Sequence, residues 1–376
     1  MGLFSRKRNE PAPPLDTTPD SDLTFFTRPQ AEQFRATVRR VLAEDGYEVT
    51  VHPDHVETDD GLEWGLWNVA AVAHNESDPT PEGWAEVIRR HFRALLAADR
   101  PSADTLSDEQ YRSQLYLRLV EESSLHSLGR ESFGHALSWA DGVVSLPVVD
   151  LPDMVITPAE DRLRERGPMA ALLDQAHRNT RALVTTEPLQ IERIEHEGHW
   201  FWCVLGESMF TASLALVLPD VVERVEPGAD LRDGVVFAVP FRHQLAFRVV
   251  DGATAAMDAL TLMPRFAVLG FSDSPGPLSP HTYLWHDGAV SQWTPRGEDG
   301  VLNVVVGPRL GDEIDSGHEH SDIGDENGPS VQVLFRPAVD GQPQAHRLLA
   351  DTAGTFNDVG TPPDPPLQSF GSAHHV

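Results

Sequence analysis

The chain has 376 residues, of which 40% are hydrophobic, so it is long enough for two packed units and apolar enough to build their cores. Acidic residues number 58 against 29 basic ones, and the formal net charge is −29. Because nucleic acids and anionic lipids are bound mainly through basic residues, this charge argues against nucleic acid and membrane as ligands. It favours a basic protein as a partner.

Lysine and cysteine are almost absent. Lys7 is the only lysine, and it lies in the basic run at the amino terminus. Schiff-base, pyridoxal phosphate and phosphate-loop chemistry need a lysine in a packed site, so the sequence argues against all three. The single cysteine, Cys203, lies in an apolar run and is interpreted as a small buried side chain. Without a disulfide framework or an apolar stretch of membrane-spanning length, the sequence predicts a cytoplasmic protein.

The predicted elements alternate between helices and strands joined by hairpins. Helical periodicity and caps predict helices over 31–44, from 80 onwards, 169–183 and 253–262. Extended segments are predicted at 47–51, 62–73, 114–120, 143–149, 189–195, 199–205, 209–218, 235–240 and 245–250. This order predicts an α+β fold with mixed or antiparallel sheets and helices packed on them.

Changes in composition predict the domain boundaries. In chain order, we expect a disordered leader (1–24), an N-terminal α+β unit (25–140), a central α+β unit (141–265), a mostly β C-terminal extension (266–350) and a disordered tail (351–376). The extension contains an acidic loop at 311–328 with two histidines and no cation.

Several motifs approach catalytic or metal-binding patterns without completing them. Residues 206–210 resemble a nucleophile elbow but lack its second glycine and its helix. The histidines of 196–199 are one residue short of the spacing used in zinc proteases, and those of 318–320 lie in a loop without rigid support. The adjacent Glu121 and Glu122 have no spacing typical of acid–base work. We therefore predict no catalytic residue, no cofactor and no metal site, and the sequence leans away from an enzyme.

A series of short motifs fills the middle of the chain. In order they are Asp150-Leu-Pro-Asp153-Met-Val-Ile156, Ala176-His-Arg-Asn179-Thr180, the strand 200–204, Phe210-Thr-Ala212-Ser213-Leu214 and Ala238-Val239-Pro240-Phe-Arg242-His-Gln-Leu245. This order resembles the YtpQ-like family of bacterial proteins of unknown function. The resemblance covers roughly 140–250 and, more weakly, 30–140. It implies no activity, but it draws attention to three polar residues in apolar surroundings: Asn179, Ser213 and Arg242.

Three hypotheses of function follow, of which the weakest is metal dependence through the histidines at 196, 199, 318 and 320. The leading one is a non-enzymatic, cytoplasmic protein-binding factor, regulatory or immunity-like, that uses its acidic surface against a basic protein. The alternative is a small-ligand-binding protein or an enzyme with a cleft near Arg242 and His243. Asn179 is expected to cap or bridge secondary structure, and Ser213 to be a strand hydroxyl with a cross-strand partner. Arg242 is expected to anchor a carboxylate, either of a structural aspartate or of an acidic ligand.

Overall fold

The computed structural model describes residues 16–59, 63–76, 78–95, 103–127, 130–152 and 154–293, together with 304–305 and 330–331. All of them belong to the first of two units, which ends at Leu334. They form an α+β fold with antiparallel sheets, so the predicted fold class is confirmed.

The α-helices are α1 (Arg28–Glu44), α2 (Trp67–Asn75), α3 (Pro81–Leu95), α4 (Asp108–Ser113), α5 (Glu122–Ser127), α6 (Glu160–Arg166), α7 (Met169–Thr186), α8 (Leu218–Val225) and α9 (Ala253–Asp273). The strands are β1 (Val49–Val51), β2 (His55–Thr58), β3 (Glu63–Gly65), β4 (Leu115–Glu121), β5 (Leu137–Ala140), β6 (Val143–Leu151), β7 (Met154–Ile156), β8 (Gln190–His196), β9 (His199–Leu205), β10 (Val235–Ala238), β11 (Gln244–Val249), β12 (Thr282–His286), β13 (Ala289–Gln292), β14 (Val304–Val305) and β15 (Ser330–Val331). A 3-10 helix, Ala212–Val217, leads into α8.

A six-stranded antiparallel sheet, ordered β13-β12-β10-β11-β9-β8, forms the centre of the fold. β10 and β11 are buried on both faces. β10 accordingly reads as a continuous apolar run, whereas β11 also buries Gln244 and Arg248. On one face Val236 and Ala238 pack with Met263 of α9. On the other face Phe237 packs in a larger core with Leu214 of the 3-10 helix and with residues of α7, α8, β4 and β6. The sheet is therefore covered on both sides.

A second sheet is ordered β4-β6-β5, with β7 also paired to β6, so that β4 lies at an edge. Two hydroxyl groups accept hydrogen bonds from the outward-pointing amide groups of this edge strand. Thr180 Oγ1 of α7 accepts the Leu117 N–H at 2.9 Å, and Ser213 Oγ of the 3-10 helix accepts the Leu119 N–H at 3.0 Å. Buried amide groups that a neighbouring strand would otherwise pair are thus satisfied by side chains.

The amino-terminal part of the chain has its own core, made by α1, α2, α3 and the three-stranded sheet β1-β2-β3. It begins earlier than predicted. Leu23 is 1% exposed, and Asp20 pairs with Arg35 at 2.7 Å, so these residues of the predicted leader pack against α1. Asn75 of α2 donates through Nδ2 to the Asp273 carbonyl at 2.9 Å, which connects this core to the end of α9.

Two predicted strands are helical instead, and each has a physical reason. Within 62–73 only β3 is extended, and α2 buries Val69, Ala70, Ala71 and Ala73. Alanine is the strongest helix former, and it outweighs the tryptophan and valine that suggested a strand. Within 209–218 the chain forms the 3-10 helix and then α8, where Pro219 occupies the first turn. Proline suits that position because the first turn uses no amide donor there.

The predicted boundaries inside the described region do not separate packed units. The boundary at 140/141 falls in the hairpin between β5 and β6, and the boundary at 265/266 falls inside α9. β12 and β13, which were assigned to the extension, belong to the central sheet. The acidic loop 311–328 and the tail 351–376 lie outside the described residues. Among the helices that are described, none has the length and apolar character needed to cross a bilayer.

Candidate functional site

A pocket of about 620 Å³ lies where α2, β4, the β10–β11 loop and the carboxyl end of α9 meet. Its charged lining residues are Arg118, Glu121 and Arg242. Trp67 and Phe271 are among its apolar lining residues. We call it the arginine pocket. Its volume is within the range of about 300–1,000 Å³ that is typical of small-molecule sites.

Arg118 lies on β4 between the buried Leu117 and Leu119, and strand alternation directs it to the opposite face from them. Its Nε is fully enclosed and has no hydrogen-bond partner. No carboxylate of the described residues lies within ion-pair distance of its guanidinium. An enclosed donor without an acceptor costs free energy, so this group is prepared for a partner that the described chain does not supply.

Arg118 nevertheless keeps its charge. Burial, and then the positive charge of Arg242, lower the pKa of Arg118 to about 10, while Asp150 acts more weakly in the opposite direction. A pKa of about 10 is far above neutral pH. Arg118 is therefore a largely buried cation, and the charge that affects its pKa most is that of a second cation.

Backbone hydrogen bonds hold Arg242 in the β10–β11 loop. Its N–H donates to the Gly276 carbonyl at 3.0 Å, and its carbonyl accepts the Ala212 N–H at 3.0 Å. Gly276 has a φ of +68°, and a Cβ there would lie 2.6 Å from Arg242 Cδ. Glycine is therefore required at this position for its conformation and for the close approach of the arginine. Burial also lowers the pKa of Arg242.

His243 supports Arg242 from behind the pocket. Arg242 Nε donates to His243 Nε2 at 2.9 Å, and His243 Nδ1 donates to the carbonyls of Ser208 and Gly206 at 3.1 Å and 3.2 Å. This pattern requires a neutral ring. Burial, and then the charge of Arg242, lower the pKa of His243 to about 4. His91 of α3 is affected by the same two causes, and its pKa is also about 4. The positive charge of Arg242 thus acts on both rings.

The 3-10 helix connects the strand of Arg118 with the loop of Arg242. Ser213 Oγ accepts the Leu119 N–H, next to Arg118, and the Ala212 N–H donates to Arg242 O. Adjacent residues of one short helix therefore connect the two backbone segments that carry the arginines.

The amino end of α2 adds a further positive contribution. Its first residues, Trp67 and Asn68, line the pocket, and its first turn contains no acidic side chain. The first amide groups of a helix have no partner within the helix and carry a partial positive charge. Asn68 Oδ1 accepts the Gly276 N–H at 2.7 Å, so α2 is also fixed to the segment that holds Arg242.

The four polar residues singled out from the sequence do not form one site. Arg242 lines the pocket and His243 supports it. Asn179 lies elsewhere and bridges α7 to β4, since its Nδ2 donates to the Leu115 and Arg112 carbonyls at 2.7 Å each. Ser213 is on a 3-10 helix instead of a strand, and its bond partner is the edge of β4. The structural aspartate that Arg242 might have held is not found among the described residues.

Sequence reasoning missed Arg118 and Asn68, and it set Glu121 aside because its spacing is not typical of acid–base work. Arg118 had a visible signal, since it is a charged residue in an apolar strand that was itself predicted. Asn68 had none, because the helix that carries it was predicted as a strand.

Other polar clusters have partners of their own. The buried Asp258 of α9 pairs with His199 at 3.0 Å and with Arg248 at 3.4 Å, and Arg248 stacks on the Trp200 ring.

Cys203 is buried, and its burial raises the pKa of the thiol to about 12. Among the residues that the structure describes, no group of three His, Cys, Asp or Glu side chains is arranged to hold a metal ion. The histidines of 318–320 lie outside those residues.

No family model, no curated protein and no solved structure matches the chain. The resemblance to the YtpQ-like family therefore stays a prediction.

Proposed function

We propose that the protein binds a small oxyanion, a carboxylate or a phosphate group, in the arginine pocket, as a ligand-binding protein of the cytoplasm. The observation that carries the proposal is the enclosed Nε of Arg118, which has no hydrogen-bond partner, in the same pocket as Arg242. Guanidinium groups match carboxylate and phosphate geometry through paired N–H donors. The amino end of α2 favours the same charge.

A binding arginine and a structural arginine differ in how they affect the stability of the ligand-free protein. A structural arginine is stabilised by its partners in the free protein, and removing it leaves those partners unsatisfied. Arg118 has no such partners among the described residues, so its burial destabilises the free protein. A bound anion would offset this cost by pairing with the charge. The two roles predict opposite effects of an apolar substitution.

The test is the Arg118→Met variant, titrated calorimetrically with inorganic phosphate and with succinate in low-chloride buffer. We expect the variant to lose about tenfold or more in affinity for whichever anion the wild type binds, because a charge-assisted hydrogen bond contributes about 1.5–3 kcal/mol. The Tm of the ligand-free variant should equal or exceed that of the wild type, since a buried unpaired charge is removed.

The matched control is Arg162→Gln, which removes an exposed arginine of α6 that is remote from the pocket lining. It should leave anion affinity unchanged. An Arg118→Met protein that binds both anions like the wild type, or that is less stable than the wild type without ligand, would show that Arg118 is structural and would overturn the proposal. The phosphate and succinate titrations decide which oxyanion is preferred.

The prediction of a basic protein partner is a separate proposal. It is supported by the net charge of −29 and by the acidic composition of 311–328. It does not compete with the pocket, because the pocket is positively charged and a basic protein would use acidic surface.

A further inference from the structure

Glu121 lines the arginine pocket together with Arg118 and Arg242. It is the last residue of β4, and the strand turns directly into α5 after it. The carboxylate forms no ion pair or hydrogen bond with any described residue. The pocket therefore contains an unpaired anion as well as two cations without carboxylate partners.

Glu121 does not act as the counterion of the arginines. The pKa of Arg118 responds to Arg242 and to Asp150, and that of Arg242 is lowered by burial, without a contribution from Glu121 to either. Charges of opposite sign that share a pocket but remain apart can each bind a different group of one ligand. A ligand with a single negative group would leave Glu121 desolvated beside it, at a cost.

The carboxyl end of α9 gives the pocket a second source of negative potential. Phe271 and Ser272, in the last turn of this 21-residue helix, line the pocket. Carbonyl groups at a helix carboxyl end carry a partial negative charge, which favours a cation. The pocket thus has the positive end of α2 and two arginines, and also the negative end of α9 and Glu121.

The uncharged lining combines polar residues, Thr24, Asn68, Ser124 and Ser272, with a larger apolar and partly aromatic part. Trp67, Val120, Phe271, Pro277 and Leu278 contribute to it. An apolar wall with a few convergent polar groups is the usual composition of a site for a small organic molecule. Inorganic phosphate has no apolar part, so it would be a poor fit to the whole pocket.

We infer that the ligand of the arginine pocket is a zwitterion of the amino-acid type with an apolar side chain. Its carboxylate binds Arg118 and Arg242, its ammonium group binds Glu121, and its side chain packs against Trp67 and Phe271. This inference rests on the proposed anion site and adds to it the cation and the apolar group.

Three probes of nearly equal size separate the parts of the inference. L-Phenylalanine carries all three groups, 3-phenylpropanoate lacks the ammonium group, and phenethylamine lacks the carboxylate. For the wild type we expect L-phenylalanine to bind about tenfold or more tightly than 3-phenylpropanoate, since one charge-assisted contact is lost. Phenethylamine should not bind measurably. The readout is calorimetric titration.

The Glu121→Gln variant should abolish the preference for L-phenylalanine and leave the affinity for 3-phenylpropanoate equal or higher. Glu86→Gln, which changes an exposed acid of α3, is the matched control and should behave like the wild type. If both carboxylates bind equally well in the wild type, or if phosphate or succinate binds and L-phenylalanine does not, the zwitterion inference is overturned while the anion site stands. If Arg118→Met binds every anion as the wild type does, the anion site itself is overturned.

Discussion

Single residues of this protein are held in protonation states that the fold requires. His243 must be neutral to accept from Arg242 and to donate to Ser208 at the same time. Its folded pKa of about 4 lies below the value of 6.5 for an unperturbed histidine, mainly because of burial, and the same holds for His91. Both rings are therefore sites where proton uptake favours the unfolded chain.

The direction of the pH effect follows from this difference. Between pH 6.5 and about 4 the unfolded histidine binds a proton and the folded one does not, so the free energy of unfolding falls as the pH falls. We expect His91→Gln to lessen this fall by up to about 1.4 kcal/mol per pH unit relative to the wild type. Urea unfolding at a series of pH values measures it, with the exposed His177→Gln as control. Parallel curves for His91→Gln and the wild type would contradict the prediction.

Residue-level reading of the sequence singled out Arg242 from its local context, an apolar segment after Pro240. The structure places Arg242 in a pocket, and its role as an anchor for an anion stays a prediction. Arg118 was not found, because its importance comes from a neighbour, Arg242, that is 124 positions away in the sequence, in a loop between two strands of the other sheet. The missing information is tertiary contact, which no local pattern contains.

At the level of elements, the edge of β4 shows how side chains replace a missing strand. Thr180 and Ser213 accept two of its amide groups, and Asn179 donates to one of its carbonyls. The sequence predicted β4, α7 and the β8–β9 hairpin, because each has a clear period and turn signals. It did not predict α2 or the 3-10 helix, since short segments rich in small apolar residues have no decisive period.

This edge supports a stability prediction. Thr180→Val keeps the shape of the side chain but leaves the buried Leu117 N–H without its acceptor, so we expect a loss of about 1–3 kcal/mol in the free energy of unfolding. Ser213→Ala should cost a similar amount through Leu119. Thr186→Val is the control, because that exposed hydroxyl donates only within its own helix, and its effect should stay within about 0.5 kcal/mol. Urea denaturation compares the three, and equal effects for Thr180→Val and Thr186→Val would contradict the argument.

At the level of the whole molecule, the net charge of the chain and the net charge of the arginine pocket have opposite signs. The chain carries a net charge of −29, whereas the arginine pocket presents two cations and one anion. The net charge follows directly from the composition. The charge of the pocket does not, because a local field depends on which residues the fold brings together.

The bulk charge leads to a prediction about partners. We expect the tagged chain to retain a basic protein from its host lysate at low salt and to release it at about 1 M salt, where the screening length is about 3 Å. Replacing Asp312, Glu313 and Asp315 by their amides should weaken the capture if the acidic segment 311–328 takes part. Retention that is unchanged at high salt would rule out an electrostatic association.

The side chains that close the edge of β4 also impose an order on biosynthesis. Ser213 lies 94 residues after Leu119, and Thr180 lies 63 residues after Leu117. At a synthesis rate of about 5–20 residues per second, the Leu119 amide leaves the ribosome about 5–20 s before its hydroxyl partner does. During that interval the nascent strand has open amide groups that another chain can pair. Slow translation between residues 119 and 213 therefore lengthens the period in which this chain is exposed to misassembly, and a chaperone that shields β4 until α7 and the 3-10 helix arrive would shorten it.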